Sequence, residues 1–201
     1  MTEIGYVHRL HAGAPGKPIL IVLHGTGGDE NQLFDFGRQL LPEATVLAPR
    51  GDVSEHGAAR FFRRSGEGVY DMADLSRATE KMAAYVKAFA DEYQASRIFG
   101  LGFSNGANIL ANVLIEKGIF DLAVLMHPLI PFQPEAQSTL AGRKVLVTAG
   151  RRDPIAPMAV TEALSQHLKG RGAEVGTVWH PGGHEIAPLE IDAVRDFFSG
   201  Y

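Results

Sequence analysis

The chain has 201 residues, enough to enclose a sizeable buried core in one domain. Hydrophobic residues make up 45% and charged residues 21%, the balance of an ordinary soluble globular protein, and a net charge of -4 gives no general attraction to nucleic acid or an anionic membrane. Cysteine is absent, which excludes disulfides, thiolate metal sites and a cysteine nucleophile.

The first residues, MTEIGYVHRLHAG, contain no apolar h-region, so no signal peptide is expected. The longest apolar runs, 18–23 among them, are far too short to cross a bilayer, and a cytoplasmic location is the expectation. Six apolar runs follow in order: PILIVLHG (18–25), TVLAPRG (45–51), RIFGLGF (97–103), LAVLMHPLI (122–130), KVLVTAG (144–150) and EVGTVWHPG (174–182). They are rich in β-branched residues, largely unalternated, and end in Gly or Pro, as strands buried on both faces do. The stretch 52–70 is irregular and is expected to form a long loop over an active site.

Helices are predicted between the runs. Met72, Leu75, Thr79, Met82, Val86, Phe89 and Tyr93 recur every three or four residues across 71–93, with Asp71 as the N-cap. A second helix is predicted from Asn105 to Lys117, stopped by Gly118. Pro157 and Pro188 each suit the first position of a further helix, the last one burying Ile191, Val194 and Phe197 or Phe198. No repeat or linker divides the chain, so residues 1–201 are expected to form one α/β domain, a mostly parallel sheet covered on both faces.

One stretch, GLGFSNGAN (100–108), admits two chemistries. Gly100, Gly102 and Gly106 nearly match a loop that cradles a dinucleotide pyrophosphate, and Gly102, Ser104 and Gly106 match a nucleophile elbow. The dinucleotide loop usually follows the first strand, with an acidic residue ending the next. Here the loop follows several strands, the glycine spacing is one residue too long, and Asp121 begins the next strand rather than ending it.

The hydrolase reading makes further demands, because a serine hydroxyl needs a histidine base that a carboxylate orients. In α/β hydrolases these follow the serine in the order acid, then histidine, each at the end of a strand. KVLVTAG runs into RRDPIAP and delivers Asp153; EVGTVW runs into HPGGHEI and delivers His184. Asp192 and Asp196 fall within the last helix, and His180 is the rival base, though the glycines before His184 suit it better to curl over the serine. Acyl transfer also needs two donors for the oxyanion. Asn105, opening a helix just after Ser104, supplies one amide, and LHGTGGDE (23–30) supplies the other, from Thr26 with Gly27 close behind. His24 is expected to brace that loop. Such an enzyme needs no cofactor and no metal.

LHGTGGDE, GFSNGAN, AGRRDPIAP and PGGHEI together resemble the small phospholipase/carboxylesterase group of α/β hydrolases, which includes acyl-protein thioesterases and is related to dienelactone hydrolases. FFRRSGEGVYDMADL (61–75) and MHPLIPFQPE (126–135) are similar to a bacterial branch of hydroquinone- and metal-stress-associated carboxylesterases. The resemblance spans residues 5 to 200. It implies a central sheet of about seven strands without a cap domain, a Ser104–Asp153–His184 triad, an oxyanion hole from Thr26 and Asn105, and a shallow site for small esters or thioesters. Dienelactone hydrolases use a cysteine nucleophile, so their lactonase activity does not carry over to a chain without cysteine.

In this frame residues 60–68 overhang the site. Arg63 and Arg64, with Glu67, are placed either to meet a polar or anionic part of a substrate or to pin the loop by salt bridges, as is Arg60 beside them. Phe61, Phe62, Tyr70, Met126, His127 and Ile130 are candidates to line the acyl pocket, core packing being the alternative for the apolar ones. The expected partner is a small-molecule ester, with no nucleic acid or membrane, and a homodimer is compatible. A non-catalytic receptor on a hydrolase scaffold is the other function left open.

Overall fold

In the computed structural model, residues 5–132 and 139–201 are described; the end of the 126–135 motif lies outside them. Strand β1 (His8–His11) is followed by β2 (Ile19–Leu23), helix α1 (Phe34–Leu40) and β3 (Thr45–Pro49). Four short strands come next: β4 (Val53–Glu55), β5 (Ala58–Arg60), β6 (Arg64–Gly66) and β7 (Val69–Tyr70). The rest alternates: α2 (Met72–Glu92), β8 (Ile98–Phe103), α3 (Asn105–Lys117), β9 (Leu122–Met126), β10 (Lys144–Gly150), α4 (Met158–Gly170), β11 (Glu174–His180) and α5 (Pro188–Phe198).

Seven strands form one sheet in the order β1-β3-β2-β8-β9-β10-β11, parallel throughout except for the antiparallel edge strand β1. All five residues of ILIVL in β2 are buried because both faces of the sheet are covered. Alternate side chains serve different cores. Ile19, Ile21 and Leu23 pack with Leu75, Met82 and Val86 of α2, Leu110 and Leu114 of α3, and Leu164 and Leu168 of α4. Leu20 and Val22 pack on the other face with Phe34 of α1 and Val194 and Phe198 of α5. Each fully buried Ile or Leu contributes roughly 2 kcal/mol. No helix among the described residues is long and apolar enough to cross a membrane.

The structure differs from the sequence reading at four places. Strand β1, HRLH, has a single aliphatic residue and sits at an exposed edge, so it carries no strand periodicity. Helix α1 is only seven residues long, too short to show an apolar stripe of its own. Pro157 is the N-cap of α4 rather than its first residue, with ψ of 143°; Pro188 does open α5. Finally, the expected loop 52–70 is two small hairpins, β4 with β5 and β6 with β7. The first turns at His56 and Gly57, whose φ angles of 51° and 91° suit a tight two-residue connection.

Candidate active site

Ser104, Asp153, His184 and the Thr26 loop lie just past the carboxyl ends of parallel strands, the edge where α/β folds collect ligands. Ser104 follows β8 in a backbone conformation, φ 52° and ψ -115°, that is costly for a residue with a side chain. The turn is possible because its neighbours have none. A Cβ on Gly102 would lie 2.6 Å from the Gly106 carbonyl oxygen, and one on Gly106 would lie 2.2 Å from the Leu23 oxygen. Strand and helix therefore meet closely enough to lift Ser104 out of the sheet.

The chain brings Asp153 from the end of β10 and His184 from the loop after β11 to this serine. Ser104 Oγ donates to His184 Nε2 at 2.9 Å, and His184 Nδ1 donates to Asp153 Oδ2 at 2.7 Å. Asp153 Oδ1 accepts the backbone amides of Ile155 and Ala156. Burial acts to raise the Asp153 pKa, but the Ala156 amide, the two neighbouring imidazoles and the Ile155 amide outweigh it and hold the carboxyl below its ordinary value. A hydroxyl, an imidazole and an ionised carboxylate bonded in series can release the hydroxyl proton as the oxygen attacks a carbonyl.

Thr26 and Asn105 flank Ser104 in one small cleft. Asn105 is the first residue of α3, where the helix has no internal partner for its backbone N–H. Its carboxamide oxygen accepts the Phe61 N–H at 2.8 Å, which ties the 52–70 segment to the helix start. Gly27 uses its amide on the Ala59 carbonyl, which separates it from Thr26 in the same loop. The Thr26 hydroxyl accepts from Arg60 Nη1 at 2.6 Å. His24 lies below: its Nε2 accepts the Gly51 N–H at 2.9 Å, which leaves the Nδ1 proton to bond Gly25 O. Burial lowers its pKa, as fits a neutral ring that braces the loop.

The rest of the cleft is more polar than the sequence suggested. Arg60, Arg64, Glu67, Tyr70 and Asn108 wall it, with Leu129 and Ile155 as its apolar members. Arg64 is thus at the site, held by Glu55 at 3.0 Å and Glu67 at 2.5 Å. Four other candidates are elsewhere. Arg63 turns away to Asp71 and Asp74. Phe62 is fully buried, edge-on to Tyr70 at 4.9 Å between centroids. Ile130 belongs to the core that also holds α2 and α3. His127 is fully buried beneath Asp153. In each case the apolar face or an opposite charge is a better partner than open solvent. Phe61 and Met126 are likewise buried.

Tyr70, a sequence candidate, does reach the cleft, whereas Asn108 and Glu190 carried little sequence signal of their own. Asn108 donates to the Tyr70 hydroxyl and accepts the Leu129 N–H, and Tyr70 donates to the Leu129 carbonyl, closing a ring of bonds across three segments. Glu190, on α5, reaches back to the Ala187 amide at 2.7 Å; its place at the third position of that helix is the one hint the sequence held. His180, the rival base, instead accepts the Gly182 N–H at Nδ1 and faces Glu190 with Nε2.

Among the described residues, two triplets, His127–His180–Glu190 and His127–Asp153–His184, bring metal-ligating atoms together. Hydrogen bonds account for both approaches. In the first, the Gly182 N–H occupies the His180 Nδ1 lone pair, leaving a proton rather than a lone pair on Nε2.

A family model described as the dienelactone hydrolase family matches residues 12–187. The chain belongs to the dienelactone hydrolase family. It is an ester-hydrolysing enzyme of the α/β-hydrolase fold. MhqD of Bacillus subtilis (strain 168), which carries a hydrolase name, is 36% identical over 183 residues, 90% of this chain and 92% of that one. Among solved structures, the protein Atu2452 of Agrobacterium tumefaciens str. C58 is 64% identical with a TM-score of 0.96, covering 100% of this chain and 99% of its own. The Bacillus cereus carboxylesterase is 36% identical with a TM-score of 0.91, over 96% and 93%. Within this family the chain has serine at the elbow and no cysteine anywhere.

Proposed function

We propose that this member of the dienelactone hydrolase family is a serine carboxylesterase for small esters, thioesters included, working through an acyl-enzyme. The observation that carries the reading is the unbroken series Ser104–His184–Asp153, with links of 2.9 Å and 2.7 Å, at a strained turn beside two amide-bearing loops. Ser104 Oγ attacks the carbonyl carbon while His184 Nε2 takes its proton. Asp153 holds the ring in the tautomer that can accept at Nε2 and stabilises the imidazolium that forms. The carbonyl oxygen, now negative, rests on the Thr26 and Asn105 amides, each such donor being worth a factor of about 100 to 1,000. His184 then protonates the departing alcohol or thiol. Water then attacks the acyl carbon while giving a proton to His184, and as the Oγ–acyl bond breaks His184 returns that proton to Ser104 Oγ, freeing the acid.

A small substrate is supported by the cleft, whose walls are mostly polar and charged side chains, with Leu129 and Ile155 as the apolar ones. The test is hydrolysis of p-nitrophenyl acetate and butyrate, with labelling by a fluorophosphonate. Ser104→Ala is expected to lose about 10,000-fold or more in kcat and all labelling. A wild-type protein that neither hydrolyses these esters nor takes the label would overturn the proposal.

A further inference from the structure

Asp153 is shared. Its Oδ2 accepts from His184 Nδ1 at 2.7 Å and also from His127 Nδ1 at 2.8 Å. His127 sits just past β9, fully buried, with a φ of 52° that turns its ring back under the carboxyl edge of the sheet. Its other nitrogen, Nε2, lies 3.1 Å from Glu190 Oε1 and 3.3 Å from Oε2. Glu190 is itself completely buried and has every lone pair met, by the Thr148 hydroxyl, the Ala187 amide, His127 and His180.

We propose that His127 and Glu190 form a second buried pair, behind the proposed triad, that positions Asp153 and balances its charge so that His184 is held ready for Ser104. This inference rests on the serine esterase reading. Two carboxylates cannot both be ionised in a buried site without a cation between them, and a ring that faces one carboxylate with each nitrogen is that cation. Burial acts against a charged His127, but the bonds to Glu190 and Asp153 outweigh it and raise its pKa. The buried three then carry one net negative charge, which the imidazolium formed on His184 neutralises during attack.

The groups facing His127 are few: Asp153 beyond β10, His180 from β11, His184 and Glu185 from the loop after it, and Glu190 from α5. His180 accepts the Gly182 N–H at its Nδ1. The centroids of the His127 and His184 rings are 5.0 Å apart. A fixed positive charge at that distance repels further positive charge beside Ser104.

Two measurements on the full chain test this. In kcat/KM against pH, His127→Asn keeps a donor toward Asp153, tolerates the positive φ and removes the cation. Its acid limb is expected to move up by about one pH unit, with kcat down by about tenfold and KM little changed. A folded, active variant whose acid limb does not move would overturn the proposal. So would a rise in KM at unchanged kcat, which would place the pair in substrate binding. If His127→Asn does not fold, imidazole nitrogen NMR of wild type and Glu190→Gln decides. One histidine should keep both ring protons beyond the ordinary value of 6.5 in wild type and lose one earlier in Glu190→Gln. No such histidine in wild type would overturn the proposal. Wild type that neither hydrolyses esters nor labels would instead sink the esterase reading, separately from the pair.

Discussion

Charged groups lie both in front of Ser104 and behind it, and the two sets live under different physics. In front, Arg64 bridges Glu55 and Glu67, whose side chains are 30% and 50% exposed. Behind, Asp153, His127 and Glu190 have side chains that are 0% exposed. Water screens the front pairs, so each is worth about 0–1 kcal/mol and can be rearranged at little cost. The rear charges have left water altogether and depend on one another. The front is therefore free to meet substrates, while the rear is committed to holding geometry.

The sharpest way to break this comparison is to remove one rear partner. Glu190→Ala leaves the His127 cation and the Thr148 hydroxyl without their acceptor and is expected to cost about 3–5 kcal/mol, read from urea unfolding. A loss under about 1 kcal/mol would mean that the rear charges are no more interdependent than the front ones.

The pH dependence of stability sharpens the same point. Asp153 and Glu190 are held below their ordinary values of 3.8 and 4.5, so their contribution is present above those values and lost as pH falls through the lower folded ones. His127 is raised above 6.5, so its contribution is present below 6.5 and lost as pH rises through its folded value. The cluster should stabilise the fold most between 4.5 and 6.5. Tm measured from about pH 3 to about pH 9 should decline on both sides, and His127→Asn should remove the alkaline decline that this cluster causes.

The smallest effects belong to the front. Arg64→Ala should change stability by less than about 1 kcal/mol yet raise KM a few-fold at unchanged kcat, because Arg64 walls the cleft. Arg63→Ala, whose side chain is 59% exposed and paired away from the cleft, should change neither. Equal effects of the two on KM would erase the distinction drawn between neighbouring arginines.

These arginines mark the limit of what can be read along the chain. Residues 60 to 64 read as one basic cluster, and nothing in FFRR tells which guanidinium faces the site. The hairpin β6–β7 decides it, pointing Arg64 toward the cleft and leaving Arg63 beside the N-cap of α2. Arg60 also reaches the cleft wall but is otherwise buried, and burial lowers its pKa despite Glu55 nearby. Phe62 and Ile130 failed as pocket candidates for a related reason: an aromatic or aliphatic residue near a site in sequence has two apolar places to go, and the core is the larger.

Periodicity and punctuation sufficed for the parallel sheet and for the long helices α2 and α3, and the approach of Ser104, Asp153 and His184 needed the G-x-S-x-G motif and the acid-then-histidine order as well. Strands buried on both faces are written as unbroken apolar runs, and a parallel sheet sends the residue after each run to the same edge. Short, exposed or edge elements such as β1, α1 and the two hairpins left no such trace, because their stability comes from neighbours distant in the chain. The same holds for the buried pair behind Asp153. His127 follows β9 and Glu190 belongs to α5, 63 residues apart. Only the closed tertiary structure, by excluding water from both at once, turns a strand-end histidine and a helix glutamate into one charged unit.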